Sequence, residues 1–111
     1  MEDYFCAPKD SEFYLSAYEG VINDVMINVK KALLNPRDYT ARANIARCAY
    51  LPLEDVITMG ADRGYCVHNL EKPMTGRFHR THGEMLAILF PAWMEYSYKL
   101  NLPLFTRLCV K

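Results

Sequence analysis

The chain has 111 residues, 51% of them hydrophobic, and its 13 basic and 13 acidic side chains give a formal net charge of zero. This length is enough for one modest domain, and the hydrophobic content excludes a disordered tail. A neutral chain also lacks the concentrated positive charge expected of a nucleic-acid-binding protein. No apolar run reaches about 18 residues, so we expect no membrane span.

The N-terminal residues and the cysteines indicate the compartment. The first residues carry acidic side chains and lack the basic region and apolar core of a signal peptide, which predicts a cytoplasmic protein. The four cysteines are spaced irregularly and form no C-x-x-C pair: Cys6, Cys48, Cys66 and Cys109. We therefore expect reduced thiols that pack as small hydrophobic groups, and neither a zinc knuckle nor a dithiol redox motif.

The first strong helical pattern follows an N-terminal stretch, residues 1–9, that is expected to be irregular. Asp10 and Ser11 are residue types that cap helices, and apolar residues then recur at three- and four-residue steps as far as Leu33. Asn35 ends the pattern because the residue before a proline disfavours the helical backbone conformation. The sequence therefore predicts one long helix between these two signals.

A second helix is predicted to begin near residues 36–38, with Asp38 as its cap, and to kink or break at Pro52. Residues 53–61 continue the helical pattern as far as Gly60. Residues 62–64 have the composition of a turn.

A third, shorter helix is predicted from Tyr65 to about Lys72, where Pro73 should end it, and a loop is expected over residues 74–78. The next helix begins at His82 and carries a proline and the only tryptophan of the chain.

The fold class follows from these patterns taken together. Asn101 and Pro103 end the helix that begins at His82, and the last residues start another. No segment alternates with period two for long enough to indicate a strand. The sequence therefore predicts an all-α protein, a bundle of four or five helices.

The histidines His68, His79 and His82 are the side chains best suited to chemistry. His68 lies on a predicted helix and His82 at the start of the next, so a returning loop could bring both imidazoles to one ion. Zinc requires four ligands and iron five or six, and the spacing alone leaves two interpretations open. The pair is part of a metal site, or it is hydrogen-bonded at a helix interface with His79 on the surface.

Other residue patterns are less informative. No carboxylate pair suits acid–base catalysis, no glycine-rich phosphate loop follows a strand, and no G-x-S-x-G motif occurs. Tyr14, Tyr18 and Tyr39 have helical spacing and are expected to fill the core. Trp93 and Tyr96 are expected to border a pocket near His82.

Three segments carry a family resemblance: MEDYF at residues 1–5, KKALLNPRDYTARANI at 30–45 and HGEMLAILFPAWMEY at 82–96. Together they resemble the helical C-terminal domain of the iron-containing (group III) alcohol dehydrogenases, in particular the branch called butanol dehydrogenases. The resemblance covers nearly the whole chain. It implies the helical metal-binding domain of the dehydroquinate synthase-like fold.

The resemblance also implies a chemistry. Members of this family bind NAD(P) in an N-terminal Rossmann-like domain and hold a divalent iron or zinc ion in the helical domain. The ion is held by an aspartate and a histidine four residues apart and by two histidines fourteen residues apart, which correspond here to His68 and His82. Gly83 would let the backbone come close. The ion activates a small alcohol or aldehyde for hydride exchange with the nicotinamide.

Some family features fall outside this sequence. The aspartate–histidine pair would precede Met1, and the dinucleotide-binding domain is absent from residues 1–111. Lys72 occupies the position at which many members carry a further histidine near the nicotinamide. The resemblance thus implies a partial helical domain with two of the four metal ligands, no cofactor-binding residue and no confident catalytic residue. We expect no independent turnover and no tightly bound cofactor.

Two alternatives to a dehydrogenase fragment remain. The first is a helical module without catalysis that forms a homo-oligomer through exposed apolar helix faces. The second is a small metal carrier that uses His68, His82 and His79.

Overall fold

The computed structural model describes residues 1–8, 10–54, 56–58, 61 and 63–110. Within them lie six α-helices, and a 3-10 turn at Tyr98–Leu100 follows the fifth. The helices are α1 Glu2–Phe5, α2 Glu12–Leu34, α3 Tyr39–Tyr50, α4 Cys66–Phe78, α5 His82–Ser97 and α6 Leu102–Val110. These described ranges contain no strand, which confirms the predicted all-α class. The chain divides into two compact units, Met1 with Asp3–Arg63 and Glu2 with Gly64–Lys111.

The short helix α1 lies where the sequence predicts irregular chain, and it raises the helix count above the four or five expected. Tyr4 and Phe5 are buried, and the Tyr4 hydroxyl donates a hydrogen bond to the Glu19 carboxylate at 3.0 Å. A single turn is too short to be stable by itself in water. Burial of its aromatic side chains in the first unit, rather than a local pattern, therefore stabilises α1.

The long helix α2 and the helix α3 begin and end where the sequence predicts. α2 follows Ser11 and ends before Asn35, and α3 ends at Tyr50, two residues before Pro52. The carboxylate of Asp38 accepts a hydrogen bond from the Ala41 N–H at 2.9 Å, which confirms Asp38 as the cap of α3.

The helical continuation predicted after Pro52 is wrong for the residues that the structure describes there. Residues 51–54 and 56–58 form turns. The Arg63 guanidinium donates to the Pro52 carbonyl at 3.0 Å and to the Thr58 hydroxyl at 2.8 Å, which stabilises these turns. Pro52 itself lacks the N–H that a continuing helix needs. Gly60 and residue 62 of the predicted turn lie outside the described residues.

The tyrosines of α2 confirm part of the predicted core. Tyr14 and Tyr18 are 3% and 1% exposed, and their rings stack at 4.8 Å. The prediction for Tyr39 is wrong, because its side chain is 84% exposed. Tyr39 shares a helix face with Arg42 and Ala46, and these three residues line an open groove.

A polar cluster joins α2 to α3. Asn28 is 3% exposed, and its side-chain amide donates to the Asp24 carbonyl at 2.8 Å and the Asp24 carboxylate at 3.1 Å. From α3, the Asn44 amide donates to the Asn28 side-chain oxygen at 3.3 Å, and the Cys48 thiol donates to the Asp24 carboxylate at 3.3 Å. Because each buried polar group has a partner, the cluster fixes the pairing of the two helices.

We expect Cys48 to be the least reactive of the four free cysteines. Burial, together with its hydrogen bond to Asp24, raises the pKa of the Cys48 thiol, so that less of the reactive thiolate forms at mildly alkaline pH. Pulsed alkylation with iodoacetamide, read by mass spectrometry, should modify exposed Cys66 and Cys109 at least about tenfold faster than Cys48. Urea should remove the difference, and equal rates in the native protein would contradict the prediction.

In the second unit, α4 continues through Pro73 to Phe78, so the predicted helix end at Pro73 and the loop over residues 74–78 are both wrong. A proline costs the helix one backbone hydrogen bond. Here the Thr75 hydroxyl donates to the Glu71 carboxylate one turn earlier, which joins the turns on either side of the proline. Val67 and Glu71 are buried and anchor the helix before Pro73.

The helix α5 begins at His82, as predicted, and contains Pro91. Met85 is its buried residue, and Ile88 and Tyr96 are 61% and 81% exposed. Among the described helices none is long and apolar enough to cross a membrane.

Candidate metal centre

The connection between α4 and α5 determines where His82 lies. His79 ends α4 in the left-handed conformation with φ 51°, and α5 begins three residues later. Thr81 and Glu84 form a capping box: the Thr81 hydroxyl accepts from the Glu84 N–H, and the Glu84 carboxylate accepts from the Thr81 N–H at 2.9 Å. Hydrogen bonds that the Thr81 N–H and the Thr81 hydroxyl donate to the Glu84 carboxylate hold the pKa of this carboxyl below its ordinary value. The start of α5 is thereby fixed at His82.

The structure brings His68 and His82 together. Their ring centroids are 5.5 Å apart and the ring planes are tilted by 43°. His79 is exposed, as His82 is, but no hydrogen bond, ion pair or ring contact joins His79 to either of the other histidines in the part of the chain that the structure describes. The short connection between α4 and α5 therefore brings two of the three histidines, His68 and His82, next to each other.

The imidazole of His68 is held by a buried carboxylate. Its Nδ1 lies 2.7 Å from Oε2 of Glu2, a residue that is 2% exposed and belongs to the same compact unit. The other oxygen, Oε1, accepts a hydrogen bond from the Val67 N–H at 2.8 Å. Tyr65, the residue that precedes α4, provides no side-chain cap. Glu2 thus satisfies one of the unpaired N–H groups at the start of α4, where negative charge is favourable.

The imidazole of His82 is held in the same way by Glu71. Its Nδ1 lies 2.9 Å from Oε2 of Glu71, which is 2% exposed, and Oε1 of Glu71 accepts from the Thr75 hydroxyl. The Thr75 hydroxyl, and more weakly His82, hold the pKa of the Glu71 carboxyl below its ordinary value against the opposing effect of burial. Glu71 is therefore a carboxylate near neutral pH.

The separation of the two imidazoles matches that of two rings bound to one metal ion. With a metal–nitrogen distance of about 2.1 Å and tetrahedral geometry, two imidazole rings bound to one ion have centroids about 5.3 Å apart, close to the observed 5.5 Å. Both Nδ1 atoms contact carboxylates, so the Nε2 atoms are the donors that remain. Two donors make only part of a site, and the described residues contain no group of three or more His, Cys, Asp or Glu placed to hold a metal.

Other predicted site residues do not join this pair. Lys72 is exposed on α4. A Cβ added at Gly83 would meet no atom within 4 Å, so nothing in the described structure makes the close approach expected there. Trp93 and Tyr96 lie on α5, 11 and 14 residues beyond His82, which separates them from it by about 16 Å or more along the helix. The structure therefore does not place Trp93 or Tyr96 next to His82.

Sequence reasoning missed the two carboxylates that contact the histidines. Glu71 follows His68 by three residues on α4, and this spacing gives the two residues neighbouring positions on one helix face, so a signal existed. Glu2 precedes His68 by 66 residues. No local pattern connects residues so far apart in sequence.

Comparisons with known proteins identify the family of the chain. The model of the Fe-containing alcohol dehydrogenase family, C-terminal region, matches residues 1–110, and the chain belongs to that family. It is 43% identical over 96 residues to NADH-dependent butanol dehydrogenase B of Clostridium acetobutylicum. It is 30% identical over 96 residues to NADPH-dependent aldehyde reductase YqhD of Escherichia coli.

Each of these two alignments covers 86% of this chain and 25% of the relative. The chain thus spans about a quarter of the length of these curated relatives. No solved structure matches it significantly.

Proposed function

We propose that residues 1–111 form part of the helical, metal-binding domain of an iron-dependent alcohol dehydrogenase that interconverts a primary alcohol and its aldehyde with NAD(P). His68 and His82 are two of the ligands of a divalent iron or zinc ion. The observation that carries the proposal is the approach of their rings to 5.5 Å, with each Nδ1 on a buried carboxylate. The names of the relatives, which are NADH- and NADPH-dependent, support the reaction class.

The bound ion would supply Lewis acidity, which polarises an aldehyde carbonyl or favours the alkoxide of an alcohol. The residues of this chain contribute two neutral imidazole donors and the carboxylates that hold them. The remaining ligands and the NAD(P) site belong to the parts of the dehydrogenase outside residues 1–111. Lys72 takes the position of a family histidine and is not assigned a catalytic role. The chain by itself therefore does not turn over.

A chimera tests this proposal. The homologous 96-residue region of butanol dehydrogenase B is replaced by that of this chain, with which it is 43% identical. We expect the chimera to bind a stoichiometric divalent metal and to oxidise NADH when butyraldehyde is added. The isolated chain should bind the metal measurably but more weakly, and it should not oxidise NADH. A folded chimera without metal would contradict the proposal, as would turnover by the isolated chain.

We also propose that the isolated chain self-associates. Several large apolar side chains are strongly exposed, among them Leu33, Leu34, Leu100 and Val110 at 77%, 89%, 82% and 82%. Exposed apolar area of this extent favours association, because burying it is favourable by roughly 25 cal/mol per Å². Analytical ultracentrifugation at about 20–50 µM should show a dimer or larger species. A single monomeric boundary in that range would overturn this second proposal.

A further inference from the structure

We propose that Glu2 and Glu71 are a matched pair of positioning residues. Each holds one of the two histidines by Nδ1 and thereby leaves the lone pair of Nε2 available to a divalent cation. The inference rests on the proposed function for the identity of the ligands. It adds two residues to that function and fixes which nitrogen of each histidine binds the metal.

The two carboxylates make the same pattern of contacts. One oxygen of each contacts a histidine Nδ1, at 2.7 Å for Glu2 and 2.9 Å for Glu71. The other oxygen accepts from an anchoring donor on α4, the Val67 N–H for Glu2 and the Thr75 hydroxyl for Glu71. The Val67 N–H and the Thr75 hydroxyl, both on α4, therefore hold the two carboxylates in place. Each carboxylate in turn holds the imidazole of one histidine.

The protonation of the rings follows from the chemistry of the partners. An ionised carboxylate only accepts hydrogen bonds, so a close contact with Nδ1 requires a proton on Nδ1. A neutral imidazole carries one N–H, and its other nitrogen then has the free lone pair that a metal needs. Free histidine favours the opposite tautomer, with the proton on Nε2. The carboxylates thus select a form that would otherwise be the minor one.

These contacts go beyond what capping α4 and joining its turns require. Capping α4 requires one oxygen of Glu2, and joining the turns around Pro73 requires one oxygen of Glu71. In both residues the second oxygen lies on a histidine, at a charge-assisted hydrogen-bond distance. Both side chains are 2% exposed, and a buried carboxylate is costly unless its oxygens are paired. Histidine Nδ1–H groups meet that requirement.

The first measurement reads the tautomers in the metal-free 111-residue chain. Long-range ¹H–¹⁵N correlation spectra, recorded at about pH 8, distinguish Nδ1–H from Nε2–H. We expect His68 and His82 to be Nδ1–H, and exposed His79 to be Nε2–H as an internal reference. An Nε2–H form at His68 or His82 in the wild-type protein would overturn the proposal, whatever the variants do.

Substituting one carboxylate at a time makes each carboxylate–histidine pair the control for the other pair. In E71M, which keeps the length of the side chain but removes the acceptor, His82 should shift toward Nε2–H while His68 is unchanged. In E2M, His68 should shift and His82 should not. E84Q, which alters a carboxylate that contacts Thr81 rather than a histidine, should change neither. Circular dichroism confirms folding, and a tautomer at His82 that is the same in folded E71M as in the wild type refutes the assignment for Glu71.

The second measurement is zinc binding to the same proteins by calorimetry. Loss of an outer carboxylate typically weakens a metal site by about 10–100-fold, and we expect E2M and E71M to weaken zinc binding by this factor and E84Q to leave it unchanged. Zinc that does not bind the wild-type chain, together with Nδ1–H tautomers, contradicts the ligand assignment of the proposed function. Zinc binding with Nε2–H tautomers instead overturns the positioning role alone.

Discussion

Replacing His68 or His82 by alanine is expected to remove the metal and the activity of the butanol dehydrogenase B chimera. Each imidazole is proposed as one of the few donors to the ion. Loss of a donor should weaken metal binding by more than the roughly 10–100-fold that follows the loss of a carboxylate holding a ligand. We therefore expect H68A and H82A to lose at least about a hundredfold in metal affinity and to retain no NADH-dependent reduction above background. Elemental analysis and the NADH absorbance assay measure both effects.

H79A is the matched control for these two variants. His79 is the third histidine of the chain, it is exposed, and it lies three residues before His82. Its substitution should leave metal content and turnover unchanged. Loss of metal in H79A to the same extent as in H82A would show that the assignment of the ligands is wrong. Full metal content in H68A would show the same.

Replacing Tyr18 by alanine is expected to give the largest loss of stability in the first unit, about 3–5 kcal/mol, the range for large buried aromatic side chains. Tyr18 is 1% exposed, stacks on Tyr14, and donates a hydrogen bond to the Asp3 carboxylate at 3.4 Å. Alanine would leave a cavity and remove both contacts. Urea unfolding followed by circular dichroism gives the change in the free energy of unfolding.

Phe13 supplies the control, because it lies on the same helix but is 81% exposed. F13A should change the free energy of unfolding by no more than about 0.5 kcal/mol. Equal losses in Y18A and F13A would contradict the packing described for α2.

The hydroxyl of Tyr18 also predicts that the stability of the folded protein depends on pH. Burial, and then the nearby Asp3 carboxylate, raise the pKa of the Tyr18 phenol. A group whose pKa is higher in the folded protein stabilises it below the unfolded pKa, and that stabilisation is lost as pH rises above about 10. Y18F, which keeps the ring, should therefore lose less stability than the wild type between about pH 9 and pH 11.

Local signals predicted most of the helices. The cap at Asp38 and the stop at Asn35 depend on the chemistry of residues next to one another, and both are confirmed. The same kind of signal was wrong at Pro73, because burial of the apolar Val67 side chain and the hydrogen bond from Thr75 to Glu71 offset the hydrogen bond that a proline removes. Tertiary contacts of this kind are not visible in a helical pattern.

The candidate site was predictable in part. The family resemblance predicted His68 and His82 as metal ligands, whereas their spacing in the sequence left both a metal site and a helix interface open. The carboxylate partners were missed for different reasons. Glu71 lies three residues after His68, and this helical spacing is a local signal that places both residues on one helix face. Glu2 reaches Val67 and His68 only because the fold brings together distant parts of the chain.

The interval between His68 and His82 consists of most of α4 and the three residues 79–81. The number of residues in this interval sets the position of His82 relative to His68, because each residue of a helix adds about 1.5 Å of length and 100° of rotation. One residue inserted between Glu71 and Phe78 would turn the end of α4 and displace His82 from both His68 and Glu71, even though every proposed ligand and carboxylate were still present. In this centre, the length of the segment between the histidines is therefore as much a determinant of the site as the identity of its side chains.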